Sequence, residues 1–180
     1  MKDLNSVVIS KATFEDAEGI QELTKDASKG MYELCGWSTK EIDNHFSPEK
    51  MKEGVDKLRK AITTFTGSDI LFVAKDGSGN IIGCCFAEKG KDVNKIEAVF
   101  VLPVYQGCGL GKKLYEKACE LLNVNNDTVL DVFSLNSKAI GFYKRLGFIE
   151  TSKKSFDERF TDSAGKRLEI TEMILPGKKI

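Results

Sequence analysis

The chain has 180 residues, 27 Lys+Arg against 27 Asp+Glu and 41% hydrophobic residues, the profile of one globular domain of about 100 to 200 residues. A chain of this length buries roughly 70% of the surface its unfolded form exposes, so its core needs no metal or disulfide staple. Its 30% charged content with only 3 Pro does not fit a disordered chain, and a formal net charge of zero argues against nucleic acid or an anionic membrane, which would call for a basic excess. A small partner is expected instead, with a single domain over residues 1–180. No run approaches the ~20 apolar residues of a membrane helix. Met1 to Asn5 is too polar to open a secretory signal, so a cytoplasmic location is expected. The cysteines, Cys35, Cys84, Cys85, Cys108 and Cys119, are odd in number and lack framework spacing, which fits a reducing compartment. Adjacent Cys84 and Cys85 point to opposite faces of a strand. With His45 alone and no Cys-x-x-Cys pair, no metal site is expected.

In chain order, Val7-Val8-Ile9 reads as a short first strand, and Thr13 with Glu15 and Asp16 opens a helix that keeps its spacing through Ile20, Leu23 and Ala27. Ser28-Lys29-Gly30 is expected to end it. Ser38 to Glu41 and Ser47-Pro48-Glu49 cap two further helices, over about 40–46 and 48–63, with Pro48 at the first helical position where a missing N–H costs nothing. Past Gly67 the period becomes strand-like: Ile70 to Ala74, the turn Asp76 to Asn80, and Ile81 to Ala87 form a hairpin. A further strand, Ile96 to Leu102, enters a glycine-rich turn, and Leu110, Leu114, Ala118, Leu121 and Leu122 make one apolar helical stripe. Val129 to Phe133 is the fifth strand. Ala139, Phe142, Tyr143 and Leu146 give a last helix that stops at Gly147. Two strands, Phe148 to Ser155 and Leu168 to Ile174, close the order, joined by a polar stretch around Asp157-Glu158-Arg159.

The turn Gln106-Gly107-Cys108-Gly109-Leu110-Gly111-Lys112 lies between a strand and an amphipathic helix. Glycines there let backbone N–H groups approach an anion at the positive end of the helix, so a phosphate or pyrophosphate is the natural ligand. A P-loop is ruled out twice: Gln106 stands where its first glycine belongs, and Lys113 occupies the position of the magnesium-binding hydroxyl. A dinucleotide fold needs Gly or Ala where Lys112 stands, although Asp131, 20 residues past Gly111 on a strand, sits where a ribose ligand would. Simple helix capping does not account for three alternating glycines, each of which costs helix stability.

Gln106-x-x-Gly109-x-Gly111 resembles the pyrophosphate loop, Arg/Gln-x-x-Gly-x-Gly/Ala, of the GNAT superfamily of acyl-CoA-dependent N-acyltransferases. Beginning 25 residues past Gly111, Asn136 to Phe148 is similar to that family's Asn-x-x-Ala-x-x-Phe-Tyr-x-x-x-Gly-Phe segment. The resemblance covers nearly the whole chain and is weakest between Lys40 and Thr63. It implies an α/β fold with a mixed central sheet of about seven strands flanked by helices, the fourth and fifth strands splayed apart. It also implies acetyl-CoA as acyl donor, its pantetheine arm paired with the backbone of Val99, Phe100 and Val101, and its pyrophosphate on Gln106, Gly107, Cys108, Gly109, Leu110, Gly111 and Lys112. Asn136 would bond the donor arm, although an Asn there is also an ordinary helix cap.

In the same resemblance Tyr143 protonates the departing thiolate, and Glu97, two residues before Val99, accepts the amine proton directly or through water. Each has a plainer alternative, Tyr143 as a core aromatic and Glu97 as a solvent-facing strand residue. Cys108 has no histidine near it and the family transfers its acyl group directly, so it is not expected to be a nucleophile. His45 reads as a helix-end polar residue. Tyr32, Trp37 and Phe46 with Glu33 and Asp43 suggest an acceptor pocket suited to a cationic amine. The expected function is acetyl transfer to a primary amine of a small molecule or to a peptide N-terminus or lysine, with a homodimer left open. The alternatives are a non-catalytic acyl-CoA-binding sensor module, and a nicotinamide- or flavin-binding domain that Lys112 disfavours.

Overall fold

A computed structural model describes Leu4, residues 6–161 and residues 164–178. Its strands are β1 (Val8–Lys11), β2 (Asp69–Lys75), β3 (Ile81–Glu88), β4 (Val93–Val101), β5 (Asp127–Phe133), β6 (Ile149–Thr161) and β7 (Arg167–Leu175). The helices are α1 (Ala17–Leu34), α2 (Thr39–His45), α3 (Pro48–Thr64), α4 (Leu110–Cys119) and α5 (Ser137–Arg145). One seven-stranded sheet runs in the order β1-β2-β3-β4-β5-β7-β6. Every neighbouring pair is antiparallel except β4–β5.

Both faces of the sheet are covered, which is why β2 reads as an unbroken apolar run. Ile70, Phe72 and Ala74 join the cluster under α4 and α5, while Leu71 and Val73 pack with Ile20 and Leu23 of α1 and with Leu58 and Ile62 of α3. Cys84 and Cys85 stand back to back in these two clusters, as their adjacency on a strand requires. Ser38 accepts from the Glu41 N–H at 3.3 Å while the Glu41 carboxylate takes the Ser38 N–H at 2.7 Å, the reciprocal cap that the sequence announces for α2.

Two expectations are corrected. Helix α1 does not end at Ser28-Lys29-Gly30 but continues to Leu34. The left-handed turn belongs to Gly36, at φ +80°, and not to Gly30; a helical glycine costs only about 1 kcal/mol, and buried Tyr32 anchors the last turn. The stretch around Asp157-Glu158-Arg159 is not a connection: β6 runs through it to Thr161, with Asp157 paired to Leu168 and Thr161 to Arg167 of β7. Its polarity fits an outermost strand of the sheet, where polar and charged residues are common.

Candidate active site

The parallel pairing of β4 and β5 runs from Val93↔Asp127 to Ile96↔Leu130 and stops there, although β4 continues to Val101 and β5 to Phe133. The expected splay is therefore present, and it opens toward the C-terminal ends of both strands. On its other side β4 remains bound to β3, with Gly83 opposite Val101 and Cys84 opposite Phe100. The bond from Leu102 N–H to the Ile82 carbonyl (3.0 Å) fixes which residues exchange hydrogen bonds with β3. Alternation along an antiparallel ladder then turns the N–H and C=O groups of Val99 and Val101 away from β3, into the gap. Phe100 points its backbone groups at Cys84 instead. The Gln106 side-chain amide donates to the Val101 carbonyl at 3.1 Å, which ties the glycine turn to the end of this open edge.

Beyond Gln106, Gly107 and Gly109 sit at φ +76° and +89°, a region that disfavours any side chain, and a Cβ built on either would meet nothing within 4 Å. Helix α4 starts directly afterwards. Its first bond runs from Lys113 N–H to the Gly109 carbonyl at 3.1 Å, so the N–H groups of Leu110, Gly111 and Lys112 have no intrahelical acceptor. Leu110 is 1% exposed and pins this end of the helix in the core. Three convergent donors, a helix N-terminus and two lysines, Lys112 and Lys113, suit a bridging diphosphate. Lys112 also pairs with Glu116 at 3.2 Å. The Cys108 thiol donates to the Tyr105 carbonyl at 2.7 Å, a local tie that agrees with its dismissal as a nucleophile. Gly111 differs from its neighbours: its φ is not left-handed, and a Cβ there would lie 3.4 Å from the Phe142 ring, in ordinary van der Waals contact between α4 and α5.

Asn136 caps α5, its Oδ1 accepting the Ala139 N–H at 3.1 Å, which leaves its amide nitrogen to donate elsewhere. Tyr143 is 7% exposed and lies in the cluster under α4 and α5. Burial, with Cys85 close by, raises its phenol well above the ordinary value, so it is a proton donor at any physiological pH. Among the described residues its hydroxyl makes no hydrogen bond, and the one sealed side-chain polar atom without a partner is Arg59 Nε. The Tyr143 hydroxyl is thus reachable by solvent or ligand.

Glu97 lies where β4 departs from regularity. Phe86 pairs with Ala98 but Ala87 pairs with Ile96, so Glu97 is the extra residue of a bulge. Ile96, Val99 and Val101 all face α4, while Phe100 packs on the opposite side. Regular alternation would turn Glu97 the way Val99 faces. Its ion pair with Lys95 at 3.1 Å sets it on the other face, beside the gap and away from α4. No sequence signal announces this bulge.

The aromatic residues expected to line an acceptor pocket mostly pack on one another. Tyr32 packs against Trp37 with centroids 5.0 Å apart and planes tilted by 51°, meets Phe46 edge-on at 5.7 Å, and its hydroxyl lies 2.9 Å from His45 Nε2. Burial, then Lys50, lowers the His45 pKa. The Trp37 indole N–H donates to the Thr161 carbonyl at 2.8 Å, a tie between the α1–α2 turn and β6 that sequence reading missed. A shallow cleft beside this cluster is lined by Trp37, Glu41, Asn44, His45 and Lys50, without Glu33 or Asp43, and another lies between α1 and α3. Neither coincides with the β4–β5 gap.

The acetyltransferase (GNAT) domain family matches residues 67–150, which carry the hairpin, the split strand pair, the glycine turn and α5. An uncharacterized N-acetyltransferase of Chlorobaculum tepidum is 33% identical over 110 residues, 61% of this chain and 64% of that protein. A peptidyl-lysine N-acetyltransferase of Escherichia coli (strain K12) is 35% identical over 63 residues, 35% of this chain and 41% of that protein. The chain thus spans less than two thirds of the length of either. Among solved structures, the PaiA N-acetyltransferase from Thermoplasma acidophilum in complex with coenzyme A shares the fold, with a TM-score of 0.62 and 21% identity over 93% of this chain and 98% of that one. Residues 67–150 thus match the GNAT acetyltransferase domain, and the described chain shares its fold with a solved N-acetyltransferase.

Proposed function

We propose that this chain, as a single cytoplasmic domain, transfers the acetyl group of acetyl-CoA directly to a primary amine of a small molecule or a peptide. The observation that carries the proposal is the strand edge left open at Val99 and Val101, running into the positive-φ turn at Gly107 and Gly109. A peptide-like arm ending in a diphosphate needs this combination: main-chain donors and acceptors along a strand, then N–H groups at a helix start. The thioester of such a donor supplies an activated acyl group, and the chain's own residues supply alignment and proton transfer.

Val99, Val101 and the Asn136 amide align the arm; Gln106 to Lys112 hold the diphosphate. Glu97, beside the gap on the face away from α4, takes the proton that the amine sheds, directly or through water. Tyr143, on the α4 face, donates to the departing sulfur. Its raised pKa makes full proton transfer to a thiol-type leaving group of pKa near ~8.5 uphill. Its contribution is therefore a hydrogen bond to developing charge. The E. coli relative named for peptidyl-lysine supports a lysine side chain as one acceptor class.

The test is a thermal shift with acetyl-CoA, CoA, NAD and FAD, followed by an amine and lysine-peptide screen that reads free thiol. A ligand at 100 times its dissociation constant adds about 2.7 kcal/mol of stability, so acetyl-CoA and CoA should raise the melting temperature while NAD and FAD should not. Glu97→Gln should lower turnover by about 10² to 10⁴ at neutral pH and recover in part as the amine deprotonates unaided. Binding without turnover on any amine identifies a non-catalytic acyl-CoA module instead, and stabilisation by NAD or FAD alone rejects the proposal.

A further inference from the structure

Phe142 stands between the two ends of the site. Its ring lies 3.4 Å from where a Gly111 Cβ would be, packed on the first turn of α4, and Val101 Cγ2 lies 3.6 Å from the same point. It also meets the Tyr143 ring edge-on, with centroids 5.1 Å apart and planes at 63°. Successive residues of a helix do not normally face each other, so this contact is imposed by what Phe142 leans against. From another side Phe148 meets Tyr143 at 5.7 Å and 67°, and Phe148 in turn rests on Tyr115 of α4 at 5.9 Å. The Tyr143 ring is thus held between two rings that both rest on α4. With no hydrogen bond to its hydroxyl among the described residues, ring packing alone aims the phenol.

We infer that Phe142 is a positioning residue for the transfer reaction: lying over the first turn of α4 beside Gly111 and against the Tyr143 ring, it fixes the Tyr143 phenol relative to the glycine turn, so the diphosphate end and the sulfur end of the site keep one spacing. The inference rests on the acetyl-transfer proposal above. A Cβ at position 111 would just touch the ring at 3.4 Å, so a side chain longer than alanine there would press on it. A 1 Å displacement of a reacting group can cost about 10² in rate, so the brace matters to turnover even though Phe142 need not touch the reacting atoms.

The test is a double-mutant cycle of Phe142→Ala with Tyr143→Phe, reading acetyl-CoA affinity by calorimetry, turnover with an amine found in the screen, and melting temperature. Phe142→Ala should lower turnover about ten- to hundredfold with the acetyl-CoA dissociation constant changed by less than about threefold. In the Tyr143→Phe background the same substitution should cost less than about twofold, because the group it aims is gone. Phe142→Leu, which keeps apolar bulk, carries the same pattern with a smaller loss where the alanine variant does not fold. Equal losses in both backgrounds, or unchanged turnover in Phe142→Ala, overturn the positioning role alone. A wild-type chain that binds no acetyl-CoA, or turns over no amine, overturns the acetyl-transfer proposal and this one with it.

Discussion

At Gly109 the chain holds φ +89° with open space where a Cβ would go. Gly109→Ala therefore meets no clash and is destabilised only by forcing an L-residue into the left-handed region, about 1–2 kcal/mol. The cheapest relief is to rotate the turn, which misaims the N–H groups of Leu110 and Gly111. The expected result is a lowered melting temperature together with at least a tenfold loss of acetyl-CoA affinity by calorimetry; full affinity would remove Gly109 from the anion site. Tyr143 makes the complementary case. Because its hydroxyl has no protein partner among the described residues, Tyr143→Phe should leave the melting temperature unchanged, and acetyl-CoA affinity with it. Turnover should fall by about 10², the low end for loss of a hydrogen-bond donor to developing charge. The deficit should be constant from neutral pH up to about 10, since a phenol whose pKa is raised stays protonated across that range. Unchanged turnover would make Tyr143 a core aromatic and nothing more.

At the scale of elements, the start of α1 is tied to β2 through one carboxylate. Asp16 is 5% exposed, accepts the Thr13 N–H at 2.9 Å and pairs with Lys75 of β2 at 2.6 Å. Burial pushes its pKa up, but the bonds from Lys75 and Thr13 outweigh burial and hold it below the ordinary carboxylate value. A depressed carboxyl stabilises the fold in full above its unfolded pKa, near ~3.9, and that contribution is lost as pH falls through the lower folded value. Asp16→Asn should therefore flatten the dependence of melting temperature on pH below about 4 and cost about 1–3 kcal/mol at neutral pH. A wild-type acid limb in that variant would show that other carboxylates set the acid stability. Several elements were legible in the sequence because they carry local chemistry: the Ser38–Glu41 cap, Pro48, the Asp76–Asn80 turn and the glycine turn before α4. What escaped depends on partners distant in the chain. Nothing near Glu97 signals a bulge that arises from how β4 pairs with β3, and the Trp37–Thr161 bond joins residues 124 positions apart. Gly30 misled because glycine marks a helix end only when the backbone turns left-handed, which happens at Gly36. The residues proposed for the site are marked in the sequence by type and spacing, whereas the face of the sheet on which each sits is not.

At the scale of the whole molecule, one sheet is split over part of its length, and the split carries the functional reading. β1 to β4 pack with α1 and α3 on one face, and α4 and α5 cover the opposite face. Past Ile96 and Leu130 the two halves separate, and main-chain groups of Val99 and Val101 face the gap. Outside the glycine turn, few places in a covered sheet leave backbone donors and acceptors so open, which is why the proposed donor, with its amide groups and diphosphate, is assigned to this gap and not to either surface cleft. The most direct measurement of this claim is amide hydrogen exchange with and without acetyl-CoA, followed by mass spectrometry on peptides covering the chain. Protection should rise in peptides spanning 97–102 and 107–113 and stay unchanged between α1 and α3. Binding of acetyl-CoA with no added protection at Val99, Val101 and the Gly107–Lys112 turn would contradict the account.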